Sequence, residues 1–128
     1  MITNTKTAHQ TWRATSKIGV IRIVETQTIL PSVGPVHARY GGGQYFTDIS
    51  PKQIGGATKE EAGPDKLSLG QVARMLFGQP WAGNKLEAFV EIDVGGLHVV
   101  PVAPHIFLVP NEAPLGIEKR LLDYGLVR

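Results

Sequence analysis

From Val90 to Val94 the chain alternates without a break: Val90, Ile92 and Val94 are apolar, and Glu91 and Asp93 between them are charged. Residues two apart on a strand share a face, so this segment fits a strand with its valines and isoleucine in a core and both carboxylates together on the other side. Such a strand needs partners beside it and a layer over its apolar face. With 128 residues the chain suffices for one domain that buries roughly two-thirds of the surface exposed by the unfolded chain. Its 42% hydrophobic and 19% charged residues argue against disorder, and its longest apolar runs fall short of a membrane span. No cysteine is present, which excludes disulfides and thiolate-bound metal and leaves stability to the core alone. The formal net charge of +2 is mildly skewed toward the N-terminal third through Lys6, Arg13, Lys17 and Arg22, too weakly to mark a nucleic-acid binder by itself.

Residues 1–10 are polar and aperiodic, with no signal-peptide pattern, and are expected to form a flexible lead-in from a longer carrier, leaving 11–128 as a single domain. Residues 11–15 read as a strand. A helix capped by Thr15 or Ser16 follows, with Ile18, Ile21 and Val24 at helical spacing, and then a short extended piece at 28–30 stopped by Pro31. Residues 31–43, ending in three glycines, read as a loop, and 44–49 as a strand. Residues 50–64 read as a long surface loop, a length that suggests a lid or a target-recognition segment. A helix over 67–77, capped by Asp65 or Ser68 and stopped by Gly78 and Pro80, precedes apolar segments at 88–94, 97–102 and 106–109. Gly95-Gly96 is expected to join the first two as an antiparallel hairpin. A last segment, 117–124, suits either a short helix or a strand. The pattern is α+β, with about six strands in a mixed or antiparallel sheet and two helices covering it.

No Walker loop, Rossmann fingerprint or nucleophile elbow occurs, and His9, His37, His98 and His105 lack metal-ligand spacing. The residues that stand out are polar side chains on apolar strands: Arg13 between Trp12 and Ala14, Thr47 after Tyr45-Phe46, and the Glu91/Asp93 pair. Two readings are open on these alone, a sheet with one solvated side or a sheet that lines a cleft.

Trp12-Arg13-Ala14-Thr15-Ser16, Ile29-Leu30-Pro31-Ser32, Gly43-Gln44-Tyr45-Phe46-Thr47-Asp48-Ile49, Leu76-Phe77-Gly78, Phe89 to Val94 and Val109-Pro110-Asn111 together resemble the ADP-ribosyltransferase toxin family named for a His-Tyr-Asp signature. The resemblance spans about residues 11–120. It implies a compact ADP-ribosyltransferase-like fold and an enzyme that takes NAD as substrate and needs no metal. It also implies an antibacterial effector delivered by an Rhs-type carrier through a secretion system such as type VI into the cytoplasm of a target cell. There it would modify a bacterial protein or RNA, a translation component among the options, and be held in check by a cognate immunity protein; no membrane partner is implied. Two departures are informative. Arg13 stands where the family has its first-strand His, which is similar to the Arg, Ser/Thr, Glu class of the same enzymes, and Pro114-Leu115-Gly116 lacks an expected acid.

The resemblance assigns Arg13 to the phosphate or ribose of NAD, and a guanidinium suits that task through bidentate hydrogen bonds. It places Tyr45 or Phe46 against nicotinamide, with Phe46 the better fit to the core and Tyr45 to the site, and gives Thr47 a hydrogen-bonding role. Glu91 becomes the first candidate to steady the cationic sugar, with Asp93 its rival on the same face and His105 or Asn111 nearer the chemistry if the 106–109 strand borders the nucleotide. Two other readings accompany it: an NAD glycohydrolase, and a binding module for protein or RNA without catalysis.

Overall fold

A computed structural model describes residues 10–34, 38–79 and 81–127. The expected lead-in lies outside them up to residue 9, while Gln10 already belongs to a strand. In chain order the elements are β1 (Gln10–Thr15), α1 (Lys17–Thr26), β2 (Thr28–Ile29), β3 (Gln44–Thr47), a 3-10 turn (Pro51–Gln53), β4 (Ile54–Gly56), α2 (Lys59–Ala62), β5 (Leu67–Ser68), α3 (Leu69–Phe77), β6 (Ala88–Asp93), β7 (Val100–Ala103), β8 (Ile106–Val109), β9 (Leu115–Gly116) and β10 (Leu121–Leu126). Six of the strands form an antiparallel sheet in the order β10-β6-β1-β3-β8-β7. Two short ladders, β2-β9 and β4-β5, hang beside it. The α+β expectation holds.

Alternation sorts the core into two layers. On one face Val90, Ile92 and Phe46 pack with Val20 and Ile23 of α1 and with Ile29 and Ile117. On the other, Ala14 packs with Val72, Ala73 and Leu76 of α3 and with Ile49 and Leu86. The sheet is therefore covered on both faces, and the solvated side left open by the sequence is restricted to the β6 end, where Glu91 and Asp93 are only partly exposed.

Ser16 caps α1, its hydroxyl accepting the Gly19 N–H at 2.9 Å. Position 19 must be glycine, because a Cβ there would stand 2.0 Å from the Thr15 Oγ1. The core face of α1 is Val20 and Ile23, whereas Ile18 and Ile21 are 66% and 55% exposed. The i, i+3 spacing thus identified the helix, but of the residues it named only Val24 packs against the core, because the face adjoining β6 is the one that carries Val20 and Ile23. Ser68 begins α3 with a reciprocal capping box to Gln71, and Gly78 ends it in the left-handed region at φ 73°.

Two expectations fail for identifiable reasons. The 50–64 stretch is not a bare loop: it carries the 3-10 turn, β4 and α2, each too short to show a period, and α2 is held by a capping box between Thr58 and Glu61. The Gly95-Gly96 hairpin does not form either, because β1 and β10 occupy both edges of β6. Asp93 instead accepts the Gly95 N–H at 2.8 Å, Leu97 N–H donates to Val94 O, and the chain crosses to the far edge. The hairpin in this region joins β7 to β8 through Pro104-His105, with His105 at φ 65°. The segment 117–124 resolves into a turn and β10.

Gln44 shows how side chains tie the small ladders to the sheet. Wholly buried, it donates from Nε2 to the carbonyls of Ile29 (3.1 Å) and Ala113 (2.9 Å), one beside β2 and one before β9. Gln44→Ala strands those two acceptors, and chemical denaturation should report a loss of about 1–3 kcal/mol with the secondary structure retained.

Candidate active site

β1 pairs with β6 along its whole length but meets β3 at the single rung Trp12–Thr47. Beyond that rung the two central strands part. The gap is the floor of a cleft of about 270 Å³ between Arg13, Ala14 and Thr15 of β1 and Tyr45, Phe46 and Thr47 of β3. Its walls come from Leu76 and Phe77 at the end of α3 and from Asn84 and Lys85 in the following loop.

Arg13 reaches across the gap and donates from Nη1 to the Tyr45 carbonyl at 3.2 Å, an acceptor that regular pairing with β1 would have used. Its Nε is shielded from solvent and has no partner. No carboxylate lies within ion-pair distance of it among the described residues, and none lines the cleft. Burial without a compensating charge lowers the pKa of this guanidinium from its ordinary value, yet an arginine stays charged at neutral pH. Lys85 adds a second cation to the rim, its Nζ 5.3 Å from the centroid of the Phe77 ring. The cleft is therefore electropositive and without a carboxylate in its lining.

Tyr45 is clamped through its hydroxyl, which donates to the Gly41 carbonyl at 2.5 Å and accepts the Tyr40 N–H at 3.0 Å. Arg39 carries the same loop onto α3 by donating to the Leu76 carbonyl at 3.0 Å. Gly43, at φ 145°, has no room for a Cβ beside the Val109 carbonyl, and so the glycine run lets the loop fold back over β8. With its hydroxyl committed, Tyr45 presents a fixed ring to the cleft. Phe46 borders the cleft but is buried in the α1-side core, so its ring is structural. Thr47 is buried and lines the cleft; its Oγ1 accepts the Ile49 N–H at 3.1 Å.

The structure thus brings Arg13, Tyr45, Phe46 and Thr47 together and leaves Glu91 outside. Glu91 lies opposite Trp12 on the α3 side of the sheet, one strand beyond the cleft, and faces Asp123 of β10. Desolvation, then the Asp123 charge, raises its pKa above the ordinary carboxylate value against the opposing influence of Lys52. Asp93 caps its turn, and Arg120 binds the carbonyls of Asp93 and Gly95 at 3.0 and 2.7 Å. Asn111 likewise serves a turn, accepting the Ala113 N–H. His105 pairs with Asp48 at 2.7 Å between β8 and β3. Sequence reasoning missed Phe77, Asn84 and Lys85, which reach the cleft only through tertiary packing. Among the described residues no group of three or more His, Asp or Glu side chains gathers as a metal site, and no helix is long and apolar enough to cross a membrane. His9, His37 and Lys6 lie outside the described residues.

A family model described as HYD1 signature containing ADP-ribosyltransferase matches residues 13–121, beginning at the arginine of the cleft. No curated protein and no solved structure matches the chain.

A raised carboxyl pKa has a defined consequence for stability. The folded state binds the Glu91 proton more tightly than the unfolded state, so this group's contribution declines as pH rises from the unfolded carboxylate value through the folded one. Glu91→Gln should therefore raise the melting temperature near roughly pH 7, and that advantage should vanish toward roughly pH 3, where both states are protonated. An unchanged difference across that range would contradict the electrostatic origin.

Proposed function

The chain belongs to the HYD1-signature ADP-ribosyltransferase family, and from that premise we propose that it binds NAD in the β1–β3 cleft and transfers ADP-ribose to a macromolecule of a target bacterium. The observation that carries this reading is Arg13: a partly buried guanidinium lining an open cleft, with a solvent-shielded Nε that has no partner and no carboxylate within ion-pair distance. An unpaired buried charge is costly to a fold, and an anionic ligand is what would offset it. The pyrophosphate of NAD supplies two negative groups for Arg13 and for Lys85 at the rim.

A cleft of about 270 Å³ is small beside the roughly 300–1,000 Å³ of sites that enclose a whole ligand. It suits part of the dinucleotide, with the remainder on the open rim. The clamped Tyr45 ring offers the flat apolar surface that nicotinamide stacks on, and the Thr47 hydroxyl is free to donate to the ribose. Breaking the nicotinamide–ribose bond leaves an oxocarbenium-like sugar, which a carboxylate stabilises. We assign that role to Glu91, which lies outside the cleft on the α3 side of the sheet, across Trp12 from Thr47, so that this reading places the sugar on the open rim on that side and not within the cleft.

Lys17 and Arg22, exposed on α1, give a macromolecular acceptor a cationic surface to approach, and RNA or an acidic protein of the translation apparatus fits that charge. The biological setting we propose is an antibacterial toxin released from an Rhs-type carrier into a target cell, with a cognate immunity protein covering the cleft.

The decisive experiment follows the label of radioactive NAD incubated with the protein, with and without bacterial lysate. Label on a macromolecule establishes transfer; free nicotinamide with no labelled product makes the chain an NAD glycohydrolase; neither leaves a binding module. In the same assay Glu91→Gln should abolish turnover while NAD still binds. Arg13→Met should weaken NAD binding at least about tenfold, the equivalent of about 1.4 kcal/mol. Its unfolding free energy should stay within about 1 kcal/mol of the parent, because a buried charge leaves together with one hydrogen bond.

A further inference from the structure

Asp48 directly follows β3 and His105 directly precedes β8, both just past the last rung Thr47–Ile106, whose two residues line the cleft. The pair therefore borders the end of the cleft without lining it. Two observations set it apart. The imidazole Nδ1 is 2.7 Å from the Asp48 Oδ1, the one His–carboxylate hydrogen bond among the described residues. Both side chains are partly open to solvent, at 43% and 44% exposure, so neither is consumed by packing. His105 holds a left-handed backbone, φ 65°, a conformation that glycine or asparagine adopts far more readily. A two-residue turn led by Pro104 takes a positive φ at its second position, so the β7–β8 turn itself sets this conformation.

A carboxylate on Nδ1 fixes the tautomer: Nδ1–H donates to Asp48, and Nε2 keeps its lone pair for a proton from outside. The same division of labour between an orienting carboxylate and an imidazole base underlies nucleophile activation in other enzymes. Resting on the NAD reading above, we infer that His105 is the general base for the acceptor and that Asp48 is its positioning residue. We take the acceptor to be a hydroxyl, whether of a ribose, a side chain or water, which loses its proton to the imidazole as it attacks. In the step the C1′–N bond to nicotinamide breaks and its electron pair leaves with the neutral base. An acceptor oxygen lone pair forms the new bond to C1′, the O–H proton passes to His105 Nε2, and Asp48 offsets the imidazolium charge.

The test is nicotinamide release from NAD in bacterial lysate by the parent and by His105→Gly and His105→Asn, both compatible with the left-handed backbone, with NAD affinity and melting temperature measured on each. Expected is a fall in turnover of about 100-fold or more, the range general bases supply. NAD affinity should stay within about threefold, and millimolar imidazole should restore part of the activity of His105→Gly. Asp48→Asn should lower turnover less, and added imidazole should not raise it because the ring is still present. Turnover within about threefold of the parent in His105→Gly, or a loss that imidazole leaves unrepaired in a folded, NAD-binding variant, overturns the assignment. A parent that releases no nicotinamide overturns the NAD reading instead, so the two failures are distinct.

Discussion

The parting of β1 from β3 beyond the Trp12–Thr47 rung is the constraint on which the rest of the molecule turns. A six-stranded antiparallel sheet gains most by pairing its central strands fully, and here the two central strands pair least. The carbonyl of Tyr45, released by that parting, is taken up by the Arg13 guanidinium at 3.2 Å. One side chain thus replaces part of a ladder, and the backbone of both strands stays accessible from the cleft. Buried main-chain groups without partners are rare in native folds, so an opening at the middle of a sheet needs a residue that can serve as both spacer and donor.

The walls of the opening are held from outside. Tyr45 is locked by the loop that Arg39 fastens to the end of α3, and α3 is itself started by the Ser68–Gln71 capping box. On the opposite face α1 and the Gln44 hydrogen bonds secure β6, β2 and β9. The cleft therefore lies between two independently packed layers, each with its own core, and the sheet between them carries the polar residues. Rigid support of this type is what a site needs if it is to hold a ligand group in one orientation.

Much of this was readable in the residues. The alternation at Val90 to Val94 set the buried face of β6, and the cap and stop signals around Ser68 and Gly78 bounded α3 closely. Arg13 and Thr47 stood out because polar groups interrupted apolar strands, Tyr45 entered through the family resemblance, and the structure gathers the three in one place. What escaped was non-local. Nothing near Gly95-Gly96 reveals that β1 and β10 have already taken both edges of β6, and no short-range pattern places Lys85 or Phe77 beside Arg13. Glu91 is the instructive case: its strand and its face were correct, and only the sheet order, which puts Trp12 between it and Thr47, set it apart from the cleft.

The position of β1 in the sheet carries a kinetic consequence. It is central in space yet early in the chain: Thr11 donates to the Ile92 carbonyl across a sequence separation of 81 residues, and β10, which seals β6, ends near the C-terminus. Ring closures of that span are slow to form, because chain entropy is lost before the contacts that compensate for it are made. A ribosome still extending the chain would thus hold a polypeptide whose β1 has not yet met β6. The central strand of the sheet waits for partners that leave the ribosome late, so the connectivity sets the order in which the sheet can close.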